Sequence, residues 1–427
     1  MRSIFTLFLT FICCFLVAAQ DTVKIMQYNL LNYGVNTGYC NTTNNNVDEK
    51  NGYLSAIVKY AKPDIITVNE MSSNPYYHQY LLDHALNVDG VTYYNKSGFT
   101  NYANSSIINM LYYNSVKFTL KSQTYVITSI RDINIYKLYY NAADLSTTHD
   151  TAFITCIAAH LKAGNTAADA SDRADMTLTL MNYLNIINAD VNYTLSGDFN
   201  VYTGSEQAFQ NLINYSNPVI RFNDPINKIG DWNNNPAYAL YHTQSTHIVS
   251  GCPASGGLDD RFDFILISNN LKNGVHHYTS IPGSYWAIGQ DGNHFNQTIN
   301  IPVNHSVPAD IADDLYGMSD HLPVILKFGV DQSSGFPDDY KSIPVLSINY
   351  NNPVTDKLNL NIVFSRKLNI EIHIVSVYGQ LIYQSQYKCS NSIFSCEIPL
   401  ENLQKGIYFL KITDENDHQI IKKIIKM

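Results

Sequence analysis

The chain has 427 residues and a formal net charge of −9. That length exceeds one average domain and fits a large domain followed by a small one. The acidic balance excludes a broad basic footprint that binds nucleic acid by charge alone. The protein would therefore have to bind a polyanionic substrate through bound cations or through a local basic or aromatic patch.

Residues 1–20 predict a secretory signal peptide. Arg2 is followed by an apolar run over residues 4–17, and Val17-Ala18-Ala19 supplies the small residues of a cleavage site. No later stretch approaches the roughly 18 uninterrupted apolar residues that indicate a membrane-spanning helix. We expect an exported, monomeric protein with no stable membrane insertion.

Between residues 23 and 328, short apolar strands alternate with helical periods. The predicted strands are Val23–Tyr28, Asp64–Val68, Ile107–Tyr113, Thr151–Ala159, Tyr193–Ser196, Arg261–Ile267 and Leu322–Phe328. Helices are predicted over Asp48–Ala61 and Ala168–Ala189, where apolar residues recur on one helical face. This mixture indicates sheets covered by helices, with antiparallel pairing of the consecutive strands between residues 107 and 159. The long loop-rich stretch over residues 282–317 is typical of a functional segment.

A polar segment rich in Gly, Ser, Pro and Asp, residues 330–343, predicts a linker. After it the pattern contains only strands, which indicates a small β-sandwich. These strands are Leu358–Phe364, Ile370–Val377, Leu381–Gln384, Ile407–Thr413 and Gln419–Lys426. The expected organisation is a signal peptide over 1–20, a catalytic domain over 21–329, the linker, and a β-sandwich domain over 344–427.

The cysteines left after signal removal allow disulfides, because export exposes them to an oxidising environment. Cys40 and Cys252 are candidates to join two loops, and Cys389 and Cys396 are candidates to clip a hairpin. Cys156 lies in an apolar strand and is expected to be a buried free thiol. Sequence alone leaves the pairing open.

Polar residues follow apolar runs at several predicted strand ends. These sites are Tyr28-Asn29, Asn69-Glu70, Ala159-His160, Gly197-Asp198-Phe199-Asn200 and Ser319-Asp320-His321. Asp and His are poor strand formers and costly to bury unpaired, so they have little structural reason to stand there. Together the sites indicate a divalent metal, a phosphate and an activated water at one rim of the fold.

Several of these residues have side chains suited to particular roles in phosphodiester cleavage. A hard cation such as Mg²⁺ takes oxygen ligands, a role that suits Glu70 and Asp320 with Asn29 beside them. His321 is the candidate general base, and Asp263 is the candidate to orient it.

The remaining sites offer a second imidazole and a pair of polar groups. His160 is a candidate donor to a phosphate oxygen or to the leaving group, while Asp198 and Asn200 are candidates to position the water. Taken singly, each residue has an ordinary alternative: a hydrogen-bonded rim histidine, a solvated acid at Glu70, a turn former at Asp198. Five sites in one order make coincidence improbable.

The catalytic segment resembles the endonuclease/exonuclease/phosphatase superfamily, in its pancreatic deoxyribonuclease-like branch, over residues 22–328. The motifs that carry this resemblance are Lys24-Ile25-Met26-Gln27-Tyr28-Asn29, Asn69-Glu70, Gly197-Asp198-Phe199-Asn200 and Ser319-Asp320-His321-Leu322-Pro323-Val324. The resemblance implies an α/β fold, a four-layer α-β-β-α sandwich with two mixed, largely antiparallel sheets, followed here by the small all-β sandwich. It also implies a divalent-metal phosphoesterase site at one end of the sandwich.

The resemblance implies roles for individual residues as well. The metal residues would be Asn29, Glu70 and Asp320, and the catalytic residues would be His160, Asp198, Asn200, Asp263 and His321. Arg131, in Ile130-Arg131-Asp132, resembles a family element in which a guanidinium grips the substrate phosphate with Asn200. The alternative for Arg131 is an ordinary surface ion pair.

One departure from the family concerns the partner of His160. In pancreatic-type nucleases a Glu on the strand that matches residues 106–113 pairs with the first catalytic His. Residues 105–110 offer no carboxylate here. The pKa of His160 and its role as an acid are therefore open.

Residues 343–427 resemble the type A sorting domain of the type IX secretion system. The matching segments are Tyr350-Asn351-Asn352-Pro353-Val354-Thr355-Asp356, Val377-Tyr378-Gly379-Gln380, Leu403-Gln404-Lys405-Gly406-Ile407-Tyr408 and the basic end at residues 421–426. The resemblance implies recognition by the secretion machinery and export across the outer membrane of a Bacteroidetes-type bacterium. The alternative is a carbohydrate- or protein-binding β-sandwich.

The leading hypothesis is therefore a secreted hydrolase, an extracellular endonuclease that cleaves DNA, and RNA as a further candidate, with Mg²⁺ or Mn²⁺. The alternatives are a phosphoesterase of the same fold acting on sphingomyelin or inositol phosphates, and a catalytically silent surface binding protein. Tyrosines in Pro75-Tyr76-Tyr77-His78-Gln79-Tyr80 are candidates to contact nucleic acid, or simply to pack a helix. The sequence leaves open the substrate, endo or exo action, the number of metals, and Ca²⁺ binding.

Overall fold

The structure is a computed structural model that describes residues 20–143, 145–148, 151–331, 345–364, 368–376, 380–389, 393–415 and 419–427. The predicted signal peptide, apart from residue 20, and nearly all of the predicted linker lie outside these residues. The chain divides into two compact units. The first comprises residues up to 333 except 147–150, and the second holds those four residues and the chain from 334 onward.

The first unit contains two sheets with helices between their strands. Its strands are β1 Gln20–Tyr33, β2 Ile65–Ser72, β3 Tyr94–Lys96, β4 Ile107–Asn114, β5 Phe118–Val126, β6 Ile133–Tyr140, β7 Phe153–His160, β8 Tyr193–Asp198, β9 Phe222–Asn223, β10 Asp263–Ser268, β11 Tyr278–Ser280, β12 Trp286–Ala287 and β13 Val324–Asp331. The helices of the chain are α1 Val47–Ala61, α2 Pro75–Leu81, α3 Leu145–Thr148, α4 Ala167–Ile187, α5 Gln207–Ile213, α6 Asn269–Asn273 and α7 Ala309–Met318. A π-helical turn covers Leu82–Leu86 and a 3-10 turn covers Pro236–Tyr241. Among the described residues, no helix combines the length and apolar character needed to cross a membrane.

The two sheets are mixed and largely antiparallel. One has the strand order β11-β13-β1-β2-β4-β3, with β12 also on β13, and the other has the order β5-β6-β7-β8-β10-β9. Only β1 with β2 and β7 with β8 pair in parallel among these described strands. Strands β1, β2 and β4 of one sheet contact β7 and β8 of the other. This confirms the predicted α/β architecture of facing sheets.

Helices cover the outer faces of both sheets. Side chains of α1 and α7 belong to the core that includes β1, β2 and β13. Side chains of α4 and α5 form a second core with β7, β8 and β10. The predicted antiparallel run needs one correction: β5, β6 and β7 pair with one another, but β4 pairs with β2 and β3 in the other sheet.

A buried polar seam joins the two sheets below one end of the sandwich. The Thr67 hydroxyl donates to the Gln27 amide oxygen at 2.8 Å and contacts the Ser196 hydroxyl of the facing sheet at 2.8 Å. The Gln27 amide donates to Asn69 at 2.5 Å, and the Asn69 amide donates to Asn109 at 2.7 Å. Buried polar groups are costly unless they are hydrogen-bonded, so this seam holds the sheets in one mutual register.

Helix α1 begins with a side-chain cap. The Asn46 carboxamide oxygen accepts from the backbone N–H of Asp48 at 2.8 Å and from that of Glu49 at 3.2 Å. We expect Asn46→Ala to destabilise the first turn by about 1 kcal/mol because these N–H groups lose their acceptor. Amide hydrogen exchange at Asp48 and Glu49 measures this, and Asn46→Asp, which keeps the acceptor, should exchange like the parent. Equal protection in the Ala variant would contradict the cap.

The cysteines of the first unit follow the sequence-based expectations. Cys40 and Cys252 form a disulfide with a sequence separation of 212 residues. Cys156 is a buried free thiol whose pKa burial raises to about 12. It therefore acts as a core side chain on β7.

From residue 345 onward, the described part of the second unit contains strands and connecting turns without a helix. Its strands are β14 Val345–Tyr350, β15 Lys357–Phe364, β16 Asn369–Ser376, β17 Leu381–Lys388, β18 Ile393–Pro399, β19 Gly406–Asp414 and β20 Gln419–Lys426. They form the sheets β14-β15-β18 and β17-β16-β19-β20 around one apolar core. The sequence-based prediction missed β14 and β18. The suggested bridge between Cys389 and Cys396 is not formed, since both are free cysteines.

Candidate active site

Two of the predicted strand-end residues lie inside their strands, at breaks in the sheet register. The β1–β2 pairing shifts between Asn29 and Tyr33, and the β2–β4 pairing shifts between Val68 and Met71. Glu70 within the second break has a φ of 57°, in the left-handed region that non-glycine residues rarely occupy. Irregularities of this kind aim side chains, and here they turn Asn29 and Glu70 toward the facing sheet.

Three candidate ligand groups converge between the two sheets. The ligand atoms of Glu70, His160 and Asp198 all lie within 4.8 Å of one another. His160 Nε2 lies 3.5 Å from Asp198 Oδ2 and 3.9 Å from Glu70 Oε1. Sequence reasoning grouped Glu70 with Asn29 and Asp320 as metal residues, whereas the structure groups it with His160 and Asp198.

Asn29 contacts this group through its nitrogen rather than its oxygen. Its Nδ2 donates to Glu70 Oε1 and to Asp198 Oδ2, both at 3.0 Å. Its Oδ1 accepts from the backbone N–H of Leu31 at 2.9 Å. The sequence-based prediction places Asn29 at the metal beside Glu70 and Asp320; in this geometry its amide nitrogen bridges two carboxylates.

His321 and Asp263 form the predicted pair. His321 Nδ1 lies 2.7 Å from Asp263 Oδ2, and both residues are buried. The carboxylate accepts from the Nδ1–H, so Nε2 of the neutral ring is left as the basic nitrogen. The Gln244 amide lies 2.8 Å from that Nε2, and Asp198 Oδ2 lies 3.6 Å from it.

The surroundings of His321 favour its charged form. Burial works against the imidazolium, but the negative charges of Asp263, Asp198 and Asp320 outweigh burial and raise the pKa of His321 well above its ordinary value. The same carboxylates would stabilise the imidazolium that forms whenever this side chain accepts a proton.

Asp320 presents a carboxylate oxygen without a partner. Its Oδ2 accepts from the backbone N–H of Ala254 at 2.8 Å. Its Oδ1 is buried, lies 3.9 Å from His321 Nε2, and has no hydrogen-bond partner among the described residues. A buried carboxylate oxygen without a hydrogen-bond partner indicates a position where a water or an ion binds.

Asp198 is held from several sides and is the central acid of the site. Its Oδ1 accepts from the Asn200 backbone N–H at 3.0 Å, and its own N–H donates to Asn69 of the polar seam at 2.8 Å. The pKa of Asp198 is raised to about 7: burial and the charges of Asp263 and Glu70 raise it, while the charge of His321 and the Asn29 hydrogen bond lower it. The Asn200 side chain donates weakly to a backbone carbonyl, that of Leu161, at 3.4 Å.

Arg131 lies on one side of this group with an uncommitted guanidinium. Its Nε and Nη1 are buried and have no hydrogen-bond partner in the described parts of the chain. Burial lowers its pKa, and the charges of Glu70 and Asp198 oppose that change. Arg131 therefore does not form the surface ion pair that was the alternative. Its free N–H groups suit an anion.

His160 has no acidic partner on its second nitrogen, as the sequence suggested. The residue on β4 that faces this region is Asn109, whose amide bonds the Asp132 and Ala158 carbonyls. The buried Nδ1 of His160 has no hydrogen-bond partner in the described residues. Burial lowers the pKa of His160 well below its ordinary value, and the positive charges of Arg131 and His321 add to this. The ring is therefore neutral, which suits a ligand or a hydrogen-bond donor better than an acid.

The acids at this site fit a divalent cation. Asp320 Oδ1 is unpartnered, and Glu70 and Asp198 bring two further carboxylates into reach of a neutral imidazole. Carboxylate oxygens suit Mg²⁺, and a mixed set of oxygen and imidazole ligands also suits Mn²⁺. Excess buried negative charge of this kind is stabilised when a cation binds.

Two residues at the site were missed by sequence reasoning. Gln244 beside His321 lies in a loop with no distinguishing motif. Lys50 of α1 is buried, and its ammonium donates to the carbonyls of Leu30 and Leu31 at 2.7 and 2.8 Å and to Asn45 at 2.7 Å. Burial lowers the pKa of Lys50 to about 7, while Asp320 and Glu70 oppose this. The side chain thereby ties α1 to the irregular end of β1.

The second unit has a recognisable family. Residues 349–427 match the model of the secretion system C-terminal sorting domain. The sorting assignment is confirmed. It marks the chain for export to the cell surface or the extracellular space, through contact with the secretion machinery.

Several solved structures are similar to this chain at low sequence identity. A humanized D. rerio TDP2 is 14% identical, with a TM-score of 0.44, over 72% of this chain and 98% of that one. The human Nocturnin catalytic domain with bound sulfate is 15% identical, with a TM-score of 0.44, over 73% and 97%. An endonuclease/exonuclease/phosphatase from Beutenbergia cavernae is 12% identical, with a TM-score of 0.42, over 94% and 99%. None of the curated proteins matches this chain.

Proposed function

We propose that the first unit is a secreted, divalent-metal-dependent phosphodiesterase that cleaves nucleic acid strands. The observation that carries this is the convergence of three parts at one point. These are the His321–Asp263 pair with its basic Nε2, a carboxylate oxygen of Asp320 and the Nε and Nη1 of Arg131, the last three without a hydrogen-bond partner in the described residues. A base, a cation site and an anion site are the parts that phosphodiester hydrolysis requires.

His321 acts as the general base. Its Nε2 takes a proton from the attacking water, while Asp263 keeps the ring oriented through Nδ1 and stabilises the imidazolium. The Gln244 amide, 2.8 Å from Nε2, holds the ring in place. Asn29 keeps the Asp198 and Glu70 carboxylates together, and Asn200 holds the second oxygen of Asp198.

The substrate phosphate binds beside Arg131, whose free N–H groups donate to the non-bridging oxygens. Neutral His160 donates a hydrogen bond rather than a proton, to the phosphate or to the leaving oxygen. Glu70, Asp198 and Asp320 would hold a Mg²⁺ or Mn²⁺ ion, which would supply Lewis-acid stabilisation of the charge on the phosphate.

The test is incubation of the protein with supercoiled plasmid in Mg²⁺, in Mn²⁺ and in EDTA. Nicking that needs metal and stops with EDTA is the expected result, and it would identify an endonuclease. The same samples are offered single-stranded RNA, sphingomyelin and inositol phosphates. Intact nucleic acid with hydrolysis of a lipid or inositol phosphate would replace the proposed substrate, and no hydrolysis at all would reject the enzyme.

The pH profile should report the His321 pair. Because the base must be neutral and its pKa is raised above 6.5, kcat/KM should rise with pH above that value. Asp263→Asn removes the strongest charge that raises the pKa, so the rise should move to lower pH and the maximal rate should fall. Asp356→Asn, an exposed site in the second unit, is the control and should leave the profile unchanged. An unshifted profile in Asp263→Asn would show that another group titrates.

A further inference from the structure

We propose that the stacked rings of Tyr102 and Tyr125 form a binding platform for one nucleobase of the strand being cleaved. This rests on the proposed function and assigns a specific subsite to it. The ring centroids lie 4.1 Å apart with planes 15° from parallel. Tyr102 remains 61% exposed although Tyr125 covers one of its faces. The other face of Tyr102 is therefore open to solvent.

Strand register places this pair beside the active site. Tyr125 of β5 is opposite Asn134 of β6, and Asn134 is opposite Ala158 of β7. Side chains directly opposite each other share a face of the sheet, and so do residues two apart along a strand. Tyr125 thus lies on the same face as His160. From Tyr125 to His160 the distance across the sheet is two strands, about 10 Å, and the distance along the strand is two residues, about 7 Å.

The loop that carries Tyr102 is held rigidly against this edge. The Asp132 carboxylate accepts from the backbone N–H of Tyr102 at 2.7 Å and from that of Ala103 at 2.9 Å. The Asn134 amide donates to the Thr100 hydroxyl at 2.5 Å. A platform fixed before binding loses little conformational entropy when a ligand stacks on it.

The residue next to Asp132 in the chain is Arg131, whose buried Nε and Nη1 have no hydrogen-bond partner in the described residues and whose charge interacts with Glu70 and Asp198. A cation for the backbone phosphate therefore lies one residue from the carboxylate that anchors the Tyr102 loop. Stacking on aromatic side chains and charge contact with the backbone are the two means by which proteins hold single strands. An acidic chain that lacks a broad basic surface depends on such local contacts.

Binding is measured in a His321→Ala background, so that the strand is not cut. A fluorescein-labelled single-stranded oligonucleotide is titrated by anisotropy with Mg²⁺ present. Tyr102→Ala should raise the Kd by about 5- to 150-fold, the range expected for one stacked base. Tyr102→Phe, which keeps the ring, should bind like the parent. Tyr60→Ala, at an exposed tyrosine on α1, is the matched control and should also bind like the parent.

A series of oligonucleotides with a single abasic position identifies the stacked base. Removal of one base should weaken binding to the parent and have no further effect on Tyr102→Ala. Equal Kd values for Tyr102→Ala and the parent, no binding by the parent, or equal losses at every abasic position would each overturn the platform. Melting temperatures of the variants show whether a loss reflects unfolding, and Tyr102→Phe then decides whether the ring matters.

Failure of the platform is separable from failure of the proposed function. Chains with His321 intact are assayed on ethyl p-nitrophenyl phosphate, a phosphodiester without a base. If Tyr102→Ala hydrolyses this ester like the parent but binds oligonucleotide poorly, the platform is supported. If the parent hydrolyses the ester and Tyr102→Ala binds oligonucleotide normally, only the platform fails. If no phosphodiester is hydrolysed, the proposed function fails.

Discussion

Replacing His321 by Ala should lower kcat by about 10²- to 10⁴-fold, the loss expected for a general base. The change also leaves the buried Asp263 carboxylate without its partner, which costs stability. His321→Asn is therefore the sharper variant, because its amide still donates to Asp263 but has no basic nitrogen. Both variants should be inactive, and His321→Asn should unfold close to the parent temperature. His305→Ala, at an exposed histidine, is the control.

The alternative base is Asp198, whose carboxylate lies 3.6 Å from His321 Nε2. Its pKa of about 7 would allow it to accept a proton near neutrality. If Asp198 were the base, His321→Asn would retain more than a tenth of the activity, with a pH dependence centred above 7 because loss of the His321 charge raises the pKa of Asp198. A loss of that activity at all pH values, with metal still bound, would leave His321 as the base.

Removal of the Cys40–Cys252 disulfide should destabilise the first unit by about 2–5 kcal/mol. The bridge closes a loop of 212 residues, and long closed loops restrict the unfolded chain most in the loop-entropy account. Cys40→Ser with Cys252→Ser tests this by chemical unfolding. Cys389→Ser, at a free and partly buried cysteine of the second unit, is the matched control and should change the first transition little.

The same bridge should affect metal binding, because it joins the loops that orient two acids. The N–H of Asn32 donates to the second oxygen of Glu70 at 2.9 Å, and the Asn32 amide contacts Cys40 Sγ at 3.6 Å. On the other loop, Ala254 lies two residues after Cys252 and its N–H donates to Asp320. Loss of the bridge frees both loops from each other, so the Mg²⁺ or Mn²⁺ affinity should fall about 10- to 100-fold.

Calorimetric metal titration of the folded double variant measures this effect apart from activity. Unchanged affinity with a lowered unfolding free energy would show that the bridge stabilises the fold without positioning the acids. Unchanged values of both would contradict the prediction altogether. Since the bridge forms only in an oxidising environment, the expected result would also tie full metal affinity to export.

Local pattern was enough to predict the more apolar strands and the two longest helices. Strands β1, β7 and β13 were predicted within a few residues because four or more apolar residues stand together in each. Helices α1 and α4 were predicted from their apolar faces. Strands β5, β6, β14 and β18 were not among the predicted strands, since polar residues interrupt or adjoin their apolar runs. Strand β4 pairs with β2 rather than with β5. The local sequence pattern does not indicate which sheet a strand joins, so this pairing could not be predicted.

The residue types of the candidate site also follow from the chain alone. Acids and imidazoles are poor strand formers and costly to bury unpaired, so their presence at predicted strand ends indicates a function. The residues concerned are Glu70, His160, Asp198, Asp320 and His321. Their chemistry can therefore be anticipated without coordinates. The pairing of His321 with Asp263 was anticipated in the same way, and the distance of 2.7 Å agrees with it.

The arrangement of those residues was decided by tertiary structure. The register breaks around Asn29 and Glu70 turn the Asn29 nitrogen, not its oxygen, toward the carboxylates, and they bring Asp198 and His160 next to Glu70. Gln244 reaches His321 across 77 positions of sequence. Contacts of that separation depend on how two sheets and their loops pack, and packing sums many weak interactions along the whole chain. Residue identity sets which chemistry is available, and packing sets which atoms meet.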